Sequence, residues 1–219
     1  MLGHERPGVE LHFEDHGGEL GLVPHLKVSW DAYWAIVDAL VLRVARSKFR
    51  PNQIVAITFG GVVPGRAIAQ ALQLPLAYLG AESYRPSGDD DRRRMRSGDV
   101  VFARDLIVTR PGLGNRVLLV DDLADHGRTF RSSLRWLQRH SVYSQGIRDV
   151  HTACLWRKTH SEFTPNYEVD RVVPVELPDA RTRKMPWIDQ PLERAYAVSG
   201  IAEIEERIAR RARMPDPSP

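Results

Sequence analysis

The chain alternates short, wholly apolar runs with longer segments whose apolar residues recur every three or four positions, a pattern that predicts buried strands and amphipathic helices. In "VSWDAYWAIVDALVLRVARSKF", Trp30, Tyr33, Trp34, Val37, Leu40, Val41 and Val44 share one helical face, with Ser29 or Asp31 as the cap. These aromatics read first as core. "QIVAITF" (53–59) follows as a buried strand, and "GGVVPGRAIAQAL" as a glycine turn leading into a helix that ends near Gln73. "LPLAYLG" is the next strand. After a polar stretch, 82–98, come two short β-like runs, "DVVFA" and "DLIVT", and the turn "RPGLGN". Residues 117–120 form a strand feeding a helix that carries Phe130, Leu134 and Leu137, and 149–156, "DVHTACLW", form another. "EVDRVVPVEL" is expected to add one more strand. Ile201, Ile204 and Ile208 mark a C-terminal helix with its charges on the opposite side. Alternating strands and helices of this length predict a parallel sheet covered on both faces, with any ligand at the carboxyl ends of the strands.

That rule points to "RVLLVDDLADHGRTF" (116–130), where a strand runs into a helix start. The helix beginning near Gly127 directs unpaired N–H groups into the loop, a cup that favours a phosphate, and Thr129 can add its hydroxyl. Asp121 and Asp122 repel the same anion, so they call for a hydrogen-bond donor such as sugar hydroxyls, or a metal ion. A phosphorylated sugar meets both demands.

Composition narrows the setting. Hydrophobic residues make up 42% of the 219 residues, and no run approaches the roughly 18–20 apolar residues of a membrane span. With no signal-peptide core, a soluble cytoplasmic protein is expected. Cys154, the single cysteine, lies in an apolar run and reads as a buried structural thiol. A net charge of +3 from 31 basic and 28 acidic residues is too small to argue for nucleic acid. The basic runs "RRRMR" (92–96) and "ARRAR" (209–213) carry most of the asymmetry. Residues 1–26 are rich in Gly and His without clear periodicity. His4, His12 and His16 lack the paired helical spacing of a metal site, so no ligand role is expected for them.

The strand, two acidic residues, two spacers, then Asp125, His126, Gly127, Arg128 and Thr129 resemble the 5-phosphoribosyl-1-pyrophosphate (PRPP) signature of the type I phosphoribosyltransferases, with His126 where Thr is usual. "VSWDAYW", "ITFGGVVPGRAIAQAL", "VLLVDDLADHGRT" and "WIDQPLE" occur in the order seen in the bacterial xanthine-guanine members, over about residues 27–196. The resemblance implies an α/β type I phosphoribosyltransferase fold, a central mostly parallel sheet flanked by helices, with a small hood built from the two terminal parts of the chain. Residues 1–26 are then an N-terminal extension, 27–198 the phosphoribosyltransferase domain, and 199–219 a C-terminal helix and tail.

The same resemblance assigns the site. Asp121 and Asp122 hold the ribose hydroxyls, Asp125 to Thr129 cradle the 5-phosphate, and Asp125 is the general base or acid near purine N7. Phe59, Gly60 and Gly61 form the pyrophosphate loop, with a non-proline cis peptide expected at Thr58–Phe59. The family usually carries Arg or Lys where this chain has Phe59, which weakens the hold on pyrophosphate. Residues 82–98 match a closing loop from which Tyr84 and one or more of Arg92, Arg93 and Arg94 reach pyrophosphate. Lys158 reaches the oxygen at purine C6, with Arg157 as the alternative if the register slips by one. Trp187 stacks on the base, Ile188 offers backbone groups to its edge, and Asp189 lies near the C2 substituent or a metal ion. Magnesium is the implied cofactor, with Asp122 and Asp189 as ligands. The implied partners are PRPP and a 6-oxopurine, with neither nucleic acid nor membrane, in a homodimer or homotetramer. Two alternatives stay open: another acceptor base, and a non-catalytic protein that senses PRPP or a nucleotide.

Overall fold

A computed structural model describes residues 5–18, 21–83, 100–108, 112–140, 142–196, 205–206 and 209. In chain order the elements are β1 (Val9–Asp15), β2 (Leu22–Val28), α1 (Trp30–Ala45), β3 (Gln53–Thr58), α2 (Val62–Ala71), β4 (Leu76–Ser83), β5 (Val100–Phe102), β6 (Arg116–Val120), β7 (Leu123–Ala124), α3 (Arg128–Arg139), β8 (Asp149–Lys158), β9 (Tyr167–Val172), β10 (Val175–Glu176), β11 (Arg183–Lys184), β12 (Trp187–Asp189) and α4 (Pro191–Tyr196).

The apolar runs become the central sheet, ordered β5-β4-β3-β6-β8, with β7 and β9 also pairing with β8. Its ladders are parallel except β4–β5. Because side chains alternate across a strand, each run feeds two cores. Ile54, Leu118, Val120 and Leu155 pack on the face covered by α1 and α2, together with Ile36 and Leu40. Val55, Ile57, Val117 and Leu119 pack on the other face with Phe130 and Leu137 of α3. Cys154 is buried among this second set, as its apolar setting predicts.

The second sheet is the hood. It has the order β1-β2-β12, so an N-terminal hairpin pairs with a strand from the far end of the chain. The expected boundary between residues 26 and 27 therefore falls inside β2. Arg6 fastens the start of the chain to the main sheet, donating through Nε and Nη2 to the fully buried Asp170 of β9 at 2.7 and 2.8 Å. Such bidentate pairs are the strong form of the guanidinium–carboxylate contact.

Several expectations are corrected. The hairpin shows that Val9–Asp15 and Leu22–Val28 are strands, although the polar, glycine-rich sequence here hides the period of two. "DLIVT" makes only an isolated bridge from Ile107 to Tyr78. "EVDRVVPVEL" divides into β9 and β10 on either side of Pro174, which has no N–H to give a ladder. Ser29 caps α1, accepting from the Ala32 amide at 3.2 Å. The buried face of α1 is Ala32, Tyr33, Ile36, Val37, Leu40 and Val44, while Trp30 and Trp34 are 45% and 47% exposed. The large rings drew the predicted face away from Ile36. The C-terminal helix lies largely outside the described residues. Among the described residues no helix is long and apolar enough to cross a membrane.

The rotated face of α1 has a direct consequence for stability. Ile36→Ala should lower the unfolding free energy by about 2–5 kcal/mol, the usual cost of a core truncation. Trp34→Ala should cost less than about 1 kcal/mol, as partly exposed positions do. Urea denaturation of dilute protein checks both, and a larger loss for Trp34→Ala would restore the aromatic core.

Candidate active site

β3 and β6 are neighbours, with Ala56 opposite Val120, so the loops leaving their carboxyl ends lie side by side. The first loop contains the cis peptide at Thr58–Phe59, where the resemblance placed it, and leads through Gly60 and Gly61 into α2. A Cβ on Gly60 would sit 2.2 Å from Asp122 Oδ1, and one on Gly61 would sit 2.2 Å from the Val120 carbonyl. Only glycine fits at both positions. The Asp122 carboxylate therefore lies flat against the first loop's backbone.

The two adjacent aspartates do different things. Asp122 is half-buried; its Oδ2 accepts a hydrogen bond from Gln190 Nε2, and its backbone carbonyl accepts from Leu155 and Trp156 of β8 at 2.9 and 3.0 Å. Asp121 is only 7% exposed, and its Oδ1 accepts from the Asp122 amide at 3.0 Å. Burial, then the neighbouring Asp122 charge, holds its carboxyl well above the ordinary carboxylate range. Asp122 thus stands at the first loop, and Asp121 is buried next to it. The Gly61 N–H donates to the Ile57 carbonyl at 2.9 Å.

Beyond β7 the chain turns through Asp125, His126 and Gly127 into α3. Gly127 has φ of 74°, and a Cβ there would lie 2.2 Å from Phe163 Cβ. α2 and α3 both begin without a side-chain cap and without an acidic residue in the first turn, whereas α1 has both Ser29 and Asp31. A helix start left uncapped beside a strand's carboxyl end presents amides and the positive end of the dipole to an anion. Arg128 is exposed and Thr129 is half-buried in the first turn of α3.

Lys158 closes β8 and is 6% exposed, which a lysine tolerates only when paired. Its Nζ donates to Asp125 Oδ2 at 3.2 Å and lies 5.6 Å from the centroid of the Trp187 ring. Arg157 points the other way and pairs with Glu168, so the strand's alternation selects Lys158 over the one-residue slip. Trp187 is 50% exposed and keeps a free surface. His160 Nε2 lies 2.8 Å from Asp125 Oδ1, and the more exposed His126 lies 3.5 Å from the same oxygen.

Ile188 points into the core and is buried, whereas Phe59 is 90% exposed. Asp189 turns to His25, whose Nδ1 is 3.0 and 3.2 Å from its two oxygens. Tyr84, Arg92, Arg93 and Arg94 lie outside the described residues. Gln190, Glu193 and His160 were missed by sequence reasoning. The only signal for the first two was their place in "WIDQPLE", next to residues already selected. Glu193 has its carboxyl pushed up by burial and then by Asp122 and Asp189.

The buried Asp121 makes a pH-dependent prediction. An acid with a higher folded than unfolded pKa keeps its proton in the native state while the unfolded chain releases it. Stability therefore falls as pH rises from the unfolded value of about 3.9 toward the folded one. Asp121→Asn retains an oxygen for the Asp122 amide and removes that loss. It should be more stable than the parent near neutral pH by roughly 1 kcal/mol, with the gain disappearing toward pH values below about 3.9. Thermal melts across pH test this, and a gain independent of pH would refute the buried-acid assignment.

A family model for the phosphoribosyl transferase domain matches residues 29–184. The chain is 31% identical over 116 residues to the xanthine-guanine phosphoribosyltransferase of Ruegeria sp. (strain TM1040), an alignment covering 49% of this chain and 63% of that relative. The chain thus spans less than two thirds of the relative's length. Among solved structures, the purine phosphoribosyltransferase of Pyrococcus horikoshii Ot3 is similar with a TM-score of 0.56 at 21% identity, covering 76% of this chain and 91% of the other. The Helicobacter pylori xanthine-guanine-hypoxanthine phosphoribosyltransferase is similar with a TM-score of 0.57 at 18% identity, covering 83% and 98%. These likenesses establish the type I phosphoribosyltransferase fold. With the matched span running from the cap of α1 to the end of β11, the chain belongs to the phosphoribosyltransferase domain family.

Proposed function

We propose that the protein transfers ribose 5-phosphate from PRPP to a 6-oxopurine and releases pyrophosphate, a purine-salvage reaction. The observation that carries this reading is the buried Lys158 between Asp125 and the open face of Trp187. A base stacked on Trp187 meets an ammonium that donates to an oxygen at C6, while an amino group at that position accepts nothing. The named relative in Ruegeria supports the same base class.

In the reaction the bond from ribose C1 to the pyrophosphate oxygen breaks, and a bond from C1 to a purine ring nitrogen's lone pair forms as the ring gives up its N7 proton to Asp125. Positive charge develops at C1 and negative charge on the leaving group. The α3 amides and Thr129 bind the 5-phosphate, and Asp122 accepts from a ribose hydroxyl with Asp121 supporting it from behind. Holding sugar and base in line supplies most of the rate. Asp125, poised between Lys158 and His160, moves a proton at purine N7.

The Asp122 carboxylate at the first loop fits magnesium, since oxygen ligands suit a hard cation. Asp122 would hold the ion, which would neutralise charge on the leaving pyrophosphate, whereas Asp189, the other expected ligand, is taken up by His25. One observation favours a second reading, a sensor that binds PRPP or a nucleotide without turnover: the exposed Phe59 replaces a cation at the pyrophosphate loop. The exposed Trp30, Trp34 and Leu42 lie four and eight residues apart along α1 and support self-association into a homo-oligomer. Light scattering should show a multimer that Trp34→Glu dissociates.

Incubation with magnesium, PRPP and guanine, xanthine, hypoxanthine, adenine or uracil, followed by pyrophosphate release, tests the assignment. Nucleotide should form with 6-oxopurines only. Lys158→Ala should lower kcat/KM for them by about 10- to 100-fold, the worth of a hydrogen bond to a charged group, and Asp125→Asn by about 10²- to 10⁴-fold. Tight PRPP binding with no product from any base selects the sensor instead.

A further inference from the structure

The hood sheet gathers a cluster of histidines and carboxylates around the strand that carries Trp187. β1 and β2 pair His12 directly opposite His25, and β12 adds Trp187 on the other side of His25. Strand alternation then puts Glu14 on the face of His12 and Asp189 on the face of Trp187, while Leu26 and Ile188 go to the buried face. His16 joins them from the turn after β1. All five residues, His12, Glu14, His16, His25 and Asp189, lie outside the span 29–184 that the family model matches.

The geometry has the form of a ligand set with its support. The Asp189 carboxylate accepts from His25 Nδ1 at 3.0 Å, which fixes the tautomer and leaves the lone pair on Nε2. That Nε2 is 3.2 Å from His16 Nε2 and 3.7 Å from Glu14 Oε2, and His16 Nε2 is 3.8 Å from Glu14 Oε2. Three atoms with these separations sit close to the edges, about 3.3 Å, of a tetrahedron whose bonds are about 2.0–2.1 Å. His12 Nε2 lies 3.1 Å from Glu14 Oε1 and 3.6 Å from Asp189 Oδ2, and His12, Glu14, His25 and Asp189 each bring a ligand atom within 4.8 Å of the others. His12 Nδ1 is buried and has no hydrogen-bond partner among the described residues.

We propose that His16, His25 and Glu14, with His12 as the further ligand, form a transition-metal site of the zinc class, and that Asp189 is its orienting carboxylate. Imidazole nitrogens with one carboxylate select zinc or cobalt over magnesium and calcium, which take all-oxygen sets. A carboxylate on the far nitrogen of a ligating histidine is the usual support for such a site. The ion clamps the turn after β1 and the β2 strand to the strand that carries Trp187. It is therefore a structural staple of the hood, separate from the carboxylate site at Asp122. A second cluster, Asp125, His126 and His160, lacks this build, because Asp125 already pairs with Lys158 and both histidines are exposed.

The test uses the full chain without an affinity tag, stripped with a chelator, and probes it with cobalt(II) and zinc(II) alone. Neither probe involves PRPP, so the result is independent of the transferase reading. Cobalt should give the intense visible bands of a tetrahedral site, zinc should displace it, and zinc should raise the melting temperature. His16→Ala, at a partly exposed position that leaves the fold intact, should weaken binding more than tenfold and remove the thermal shift. Asp189→Asn should weaken it by about 10- to 100-fold without deleting a ligand. His160→Ala should bind as the parent does. Absence of cobalt bands and thermal shift in the parent, equal binding by parent and His16→Ala, or loss of binding in His160→Ala would each overturn the site.

Discussion

The contact on which the rest depends is the seating of Gly60 and Gly61 against the end of β6. Two Cβ positions are taken, one by the Asp122 carboxylate and one by the Val120 carbonyl. That approach brings the loop after β3 and the loop after β6 within one side chain of each other. The start of α2 is thereby set beside the Asp122 carboxylate. The sheet enforces this, because β3 and β6 are hydrogen-bonded neighbours and their carboxyl ends must share one edge.

Burial divides the work among like charges. Asp121 and Asp122 are adjacent in sequence, yet one faces the close-packed interior and the other faces the loop. The buried one keeps its proton more readily, which removes a repulsion that would otherwise oppose Asp122 holding its charge. Lys158 is treated in the opposite way: it is buried, but next to Asp125 and a π face, so its charge is balanced on two sides.

The hood couples the chain's two ends. Among the described residues β12 has only β2 beside it, so the position of Trp187 depends on the N-terminal hairpin. The hairpin is fastened by Arg6 on Asp170, by Lys184 on the Leu22 carbonyl and by the histidine cluster on Asp189. A segment that precedes the family's matched span therefore sets the surface on which the base is proposed to stack.

The elements whose signal is local were legible from the residues alone. The apolar runs of β3, β6 and β8, the helix starts at Ser29 and Gly127, and the strand–aspartate–glycine order of the phosphate loop all follow from short-range pattern and backbone freedom. The α1 face was misread because Trp30 and Trp34 are large, whereas burial depends on which side meets the sheet. The β1–β2 hairpin was missed because its outward positions are polar on a strand that covers only one layer. The division of Asp121 from Asp122, the choice of Lys158 over Arg157, and the meeting of His12, Glu14, His16 and His25 with Asp189 were decided by tertiary structure. Each depends on which strand lies beside which, and hydrogen-bonded register between segments up to 164 residues apart leaves no trace in local periodicity.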